Sequence, residues 1–237
     1  MSDSKKSKIM QEITDFAIKW PTKKIEDMKL LSTQAYEQGW YLNEVLIFTL
    51  NGSIIANDRL NDAVIELINE DWDEYWNNLV EYRPSRKELF MEIKRCHELS
   101  LYGAAIHLSF SQADGLFYDK FGVNLYSNRF GIAKNKFCLE LNDFISRDSI
   151  EVLSAHYEDG SLLRRIINEV YSDILSKTDG DIVKKTDNIV ERELLLPNRH
   201  GVLHGIHTDY VSELNSYKAI TFLIFILFAL NGEEIMK

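Results

Sequence analysis

The stretch Arg199-His200-Gly201-Val202-Leu203-His204-Gly205-Ile206 holds an arginine and two histidines within six positions, with Pro197 and Asn198 before it and His207 and Asp209 after it. Three of the chain's six histidines fall between positions 200 and 207. Histidine exchanges protons near neutral pH, and arginine is a fixed, forked cation suited to phosphate. Two chemistries follow. In the first, Arg199 grips phosphate oxygens while His204 moves a proton at a reacting oxygen, a contribution of roughly 10²–10⁴-fold. In the second, His200, His204 and His207 share one face of a helix at i, i+4 and i+7, and with Asp209 nearby they suit zinc or another transition metal. Gly201 stands where zinc-protease helices carry a glutamate, so the expectation is no metal and no cofactor.

The spacing alone decides little, because with ten arginines and six histidines an Arg with a His four to six intervening residues later is expected about as often as not. A five-residue step also turns a helix by about 140°. Arg199 and His204 need not share a face, and a helix start or a site shared between subunits fits them better.

Other groups could assist. Ser111, Gln112 and Asp114 form a polar cluster in an otherwise apolar helix. It is either a hydrogen-bond network or solvent face, or a means of orienting the motif from behind through Asp114 or Gln112. Residues 120–139 contain Lys120, Arg129, Lys134 and Lys136, no acid, and the aromatics Phe121, Tyr126, Phe130 and Phe137. Such a loop could hold an RNA backbone with rings for its bases, or be plain solvated surface. His97, His107 and His156 are isolated and read as structural. Cys96 and Cys138 lack partners at metal spacing and read as reduced thiols.

The elements that must position these groups read as helices. Three prolines and eleven glycines in 237 residues are sparse punctuation, which favours long helices. Apolar periodicity predicts helices over 8–19, 22–38 with a cap at Gly39, 40–50, 57–68 and 71–82. Pro84 marks a boundary, and Ser85-Arg86-Lys87-Glu88 fits a capping box opening a helix to about Ser100. A helix over 102–121 ending at Gly122, another over 162–176, and a last one from Asp209 or Ser212 to Leu230 complete an all-α chain. The expected division is an N-terminal helical region, 1–82, and a helical domain, 83–237. The formal charge of −10 argues against a broad nucleic-acid-coating surface. The apolar run 219–230 is about twelve residues against roughly 20 for a membrane span. With no signal peptide pattern at the start, a soluble cytoplasmic protein is expected.

An arginine, a polar residue, three others and a histidine form the signature of the HEPN superfamily, and Arg199 to His204 resembles it. Residues 197–205, Thr208-Asp209-Tyr210, Leu214-Asn215 and Lys218-Ala219 also resemble a group of uncharacterised bacterial HEPN-like helical proteins. Tyr102, Ala105, residues 111–115 and 119–122 are similar to the same group. The similarity extends over roughly 85–230, with only 197–218 specific. It implies a helical bundle of HEPN type with an additional N-terminal helical region. It also implies a metal-independent endoribonuclease, a toxin or phage-defence effector, in which a homodimer lines one cleft with two copies of Arg199 and His204. Asn198, His200 and Asp114 would support them, and RNA and an antitoxin or other defence protein would be the partners. The alternative is a non-catalytic helical interaction module of such an assembly. Some family members carry a tyrosine two residues after the histidine. Ile206 stands there and Tyr210 is not at that spacing, so chemistry needing that tyrosine is not implied.

Overall fold

A computed structural model describes residues 26–50, 59–125, 170–171, 173–174, 197 and 199–235. Every regular element among the described residues is helical, so the chain is all-α there. The expected helix 8–19 and most of 162–176 lie outside them.

Helix α1 covers 26–37. Met28, Leu31 and Ala35 recur at helical spacing and are buried, as expected. It ends at Gly39, φ +82°, where Gly39 N donates to Tyr36 O and Trp40 N to Ala35 O, both 2.9 Å. These are the two bonds of a Schellman cap. The next segment departs from expectation. Trp40, Tyr41 and Leu42 are buried but not helical, and α2 spans only Glu44–Thr49. The reason is Asn43, whose Oδ1 accepts from Leu46 N at 3.0 Å. A side chain that takes up a first-turn amide starts a helix instead of continuing one.

Helices α3, Leu60–Glu70, and α4, Trp72–Tyr82, follow. They begin slightly later than the sequence pattern suggests. The capping box does not form. Pro84–Arg86 is a 3-10 turn, so Ser85 lies inside it; Arg86 becomes the N-cap of α5, Lys87–Glu98, without a side-chain capping bond. Arg86 is engaged elsewhere. Its Nε and Nη2 donate to Asp119 at 3.0–3.1 Å and its Nη1 to Gln112 Oε1 at 2.8 Å. The guanidinium lies over Gly115, where any Cβ would collide with it.

Helix α6, Tyr102–Phe121, ends at Gly122 as expected and packs on α5 and on α8. Helix α7 is the short Arg199–Leu203. Helix α8, Glu213–Ile235, begins after Ser212, whose Oγ accepts from Asn215 N at 3.2 Å. It does not stop before Asn231-Gly232. One glycine costs a helix only about 1 kcal/mol, and no proline follows to break it.

Helix α8 is the axis of the core. All side chains from Ala219 to Leu230 are buried. Tyr41 meets Phe222 and Phe225 at ring distances of 4.8 and 5.3 Å, Tyr171 meets Phe225 at 5.0 Å, and His97 meets Tyr217 at 4.4 Å. The window Glu213–Leu230 is long and apolar enough to cross a membrane, but 83% of it is buried within the fold. Residues before and after position 82 contribute to one core cluster.

Candidate functional site

The Arg199–His204 stretch is built on α7. Val202 is its buried anchor, and α7 packs against α6. Arg199 opens the helix, half-buried, with its Nε out of solvent. His204 is the first residue past the end of the helix, and it is exposed. Gly205 follows at φ +68°, a conformation that costs an L-residue roughly 1–2 kcal/mol. Its N–H donates to Val202 O at 3.1 Å, and Ile206 N to Gly201 O at 2.8 Å. A Schellman cap therefore sets the direction in which His204 leaves the helix.

Gly201 serves a different purpose. The His207 imidazole lies so close that a Cβ at 201 would sit 2.7–2.8 Å from its ring atoms. His207 N also donates to Gly201 O at 3.1 Å. A Schellman cap ordinarily packs the residue after its glycine on the side chain at the position Gly201 occupies. Glycine offers none, and Ile206 remains 55% exposed.

The three-histidine helix face does not form. The helix ends at Leu203, and the glycine turn sends His207 back onto Gly201. Among the described residues no group of three His, Cys, Asp or Glu side chains could hold a metal ion. The side chains of Asn198 and His200 lie outside the described residues, as do Arg129, Lys134, Lys136 and His156.

The expected auxiliary groups sit as follows. Asp114 accepts from Asn124 Nδ2 at 2.9 Å and Leu125 N at 2.6 Å, fastening the chain that leaves α6. Gln112 holds Arg86. None of these bonds is made to α7. Lys120 donates to Leu230 O at 2.9 Å and so ties the end of α6 to α8.

No family model, no curated protein and no solved structure matches this chain.

Three further polar groups carry no sequence signal, because their partners are remote in the chain. His107 Nε2 is 2.9 Å from the Tyr210 hydroxyl, 103 residues away. His97 is buried between Trp72, Tyr102 and Tyr217, with Nδ1 2.8 Å from Ser216 Oγ. Burial lowers its pKa, against the opposing pull of Glu213 and Glu98. Lys218 is buried with its ammonium 5.7 Å from the centre of the Trp40 ring, and burial lowers its pKa to about 8. Neither histidine is isolated: each meets a hydroxyl group from a remote part of the chain.

Proposed function

We propose that this chain is a metal-independent endoribonuclease of HEPN type. The observation that carries the reading is an exposed His204 whose exit from α7 is set by the Gly205 cap, with Arg199 at the other end of the same helix. In the reaction, the RNA 2′-oxygen bonds to the adjacent phosphorus and the bond to the 5′-oxygen breaks. A 2′,3′-cyclic phosphate and a free 5′-hydroxyl result. His204 moves the proton, and Arg199 stabilises charge on the phosphate oxygens. On helical geometry a five-residue step spans about 7.5 Å along the axis and turns by about 140°, so the two side chains diverge. A homodimer that brings one copy's histidine to the other's arginine resolves that divergence. A bacterial cytoplasmic toxin or phage-defence effector, held in check by an antitoxin, is the setting this activity fits.

The test is RNA cleavage by the purified full chain in EDTA. Cleavage should persist, and His204→Ala should lower it at least about 100-fold with the melting temperature unchanged, because the side chain is exposed. Intact RNA with well-folded dimeric protein would overturn the reading.

A second reading is a non-catalytic interaction module. It is favoured by Ile206 and Val211, both more than half exposed beside the motif, an arrangement common at protein contact surfaces. In that case His204→Ala leaves biological function intact, while charged substitutions at Ile206 and Val211 abolish association.

A further inference from the structure

The chain between α7 and α8 is tied down at both ends. Upstream, Ile206 N and His207 N donate to Gly201 O, and the His207 ring lies against Gly201. Downstream, the Tyr210 hydroxyl meets His107 Nε2 of α6 at 2.9 Å, and Asn215 Nδ2 donates to Tyr210 O at 2.8 Å. Val211 lies over Gly103 of α6, its Cγ2 3.4 Å from where a Cβ at 103 would be. Residues 204–206, 208 and 209 are exposed. His204 lies in the cap turn that the upstream bonds to Gly201 O close, and the segment 204–211 forms a bridge from that cap to α6.

We infer that His107 is a positioning residue for His204. It acts through Tyr210, whose hydroxyl joins the downstream end of the bridge to α6. Which partner donates in this bond depends on the imidazole tautomer; either way the hydroxyl is the link, and the 5.9 Å ring separation keeps the phenol beside α6. Without it, the Asn215 bond and the Val211 contact remain to restrain the bridge at that end. A misplacement of about 1 Å at a reacting group lowers a rate by as much as 10²-fold. The consequence for cleavage rests on the ribonuclease reading above; the fastening of the bridge does not.

The experiment compares the full chain with Tyr210→Phe, which deletes only the hydroxyl, with His107→Leu, and with His107→Gln, which keeps a hydrogen-bonding group. Amide hydrogen exchange is read at Gly205, Ile206 and His207, with α6 and α8 as internal references. Tyr210→Phe and His107→Leu should each speed exchange at those three amides by about five- to tenfold with the references unchanged, as local opening predicts. The double variant should open no further than either single one, because both remove the same bond. His107→Gln should restore part of the protection. In RNA cleavage the first two variants should lower kcat about tenfold or more with KM nearly unchanged. Unchanged exchange overturns the inference whatever the cleavage shows. Faster exchange with unchanged kcat overturns the positioning role. Faster exchange in a protein that never cleaves RNA refutes the ribonuclease reading and leaves the bridge as argued.

Discussion

His97 is 7% exposed, and its Nδ1 meets Ser216 Oγ inside a ring of Trp72, Tyr102 and Tyr217. Burial disfavours the imidazolium, so its folded pKa lies below the usual 6.5. The unfolded chain therefore binds more protons than the folded one as pH falls below 6.5. The stability associated with neutral His97 is present above that pH and is lost as pH falls through the folded value. The expected outcome is a melting temperature that drops on acidification below 6.5, with a shallower drop in His97→Gln, measured by thermal unfolding across pH. A variant with an unaltered slope would show that other groups carry the acid sensitivity. Lys218, buried on the Trp40 ring with its pKa lowered to about 8, has the same sign but a higher window. The unfolded chain carries the extra proton between about 8 and 10.5, so stability rises with pH across that range. The burial of neither is visible in the sequence, where His97 lies in an ordinary amphipathic helix and Lys218 stands just before the apolar run 219–230. Their environments are made by α4, α6, α8 and the 40–43 segment.

At the scale of elements, helix ends were the most legible feature where a glycine marks them. Gly39 and Gly122 close their helices as the sequence suggests, because a left-handed terminal residue is a local backbone requirement. Other boundaries were misread. Asn43 starts α2 late, Pro84 forms a 3-10 turn that displaces the Ser85 capping box, and α8 runs through Gly232, a glycine expected to close it. One cap uses the wrong residue type. Ser100, φ +60°, closes α5, with its N–H donating to His97 O at 2.9 Å and Leu101 N to Cys96 O at 2.8 Å. Ser100→Gly should relieve that conformation and stabilise the fold by about 0.5–1 kcal/mol, read as a raised urea midpoint. A loss of stability would mean that the serine side chain contributes more than its backbone strain removes. The Arg199–His204 turn belongs to the same class of object. Its glycines are legible as turn residues, but not their division of labour. Gly205 supplies the left-handed angle, whereas Gly201 supplies room for His207.

Across the whole molecule, α8 binds the parts together. Phe222 touches the rings of Tyr41 and Phe110, from either side of the expected boundary at 82. Phe222→Ala should cost about 3–5 kcal/mol, and tryptophan fluorescence and helical signal should be lost at a correspondingly lower denaturant concentration. A cost below about 1 kcal/mol would mean that the core collapses around the deletion. The amino-acid order by itself determined the all-helical character, the buried faces at 3.6-residue spacing and the glycine-marked ends, since these depend on neighbours within a turn or two. It also singled out Arg199 and His204 by resemblance. The stop at Leu203, by which His204 and His207 part company, is the local work of the Gly205 cap. Tertiary structure alone decided that His107 finds Tyr210, that His97 finds Ser216, and that Arg86 clamps Asp119. Those pairings span 33 to 119 residues, and no local preference encodes them. They exist because burying α8 brings their helices together, and polar groups drawn in with it must find partners there.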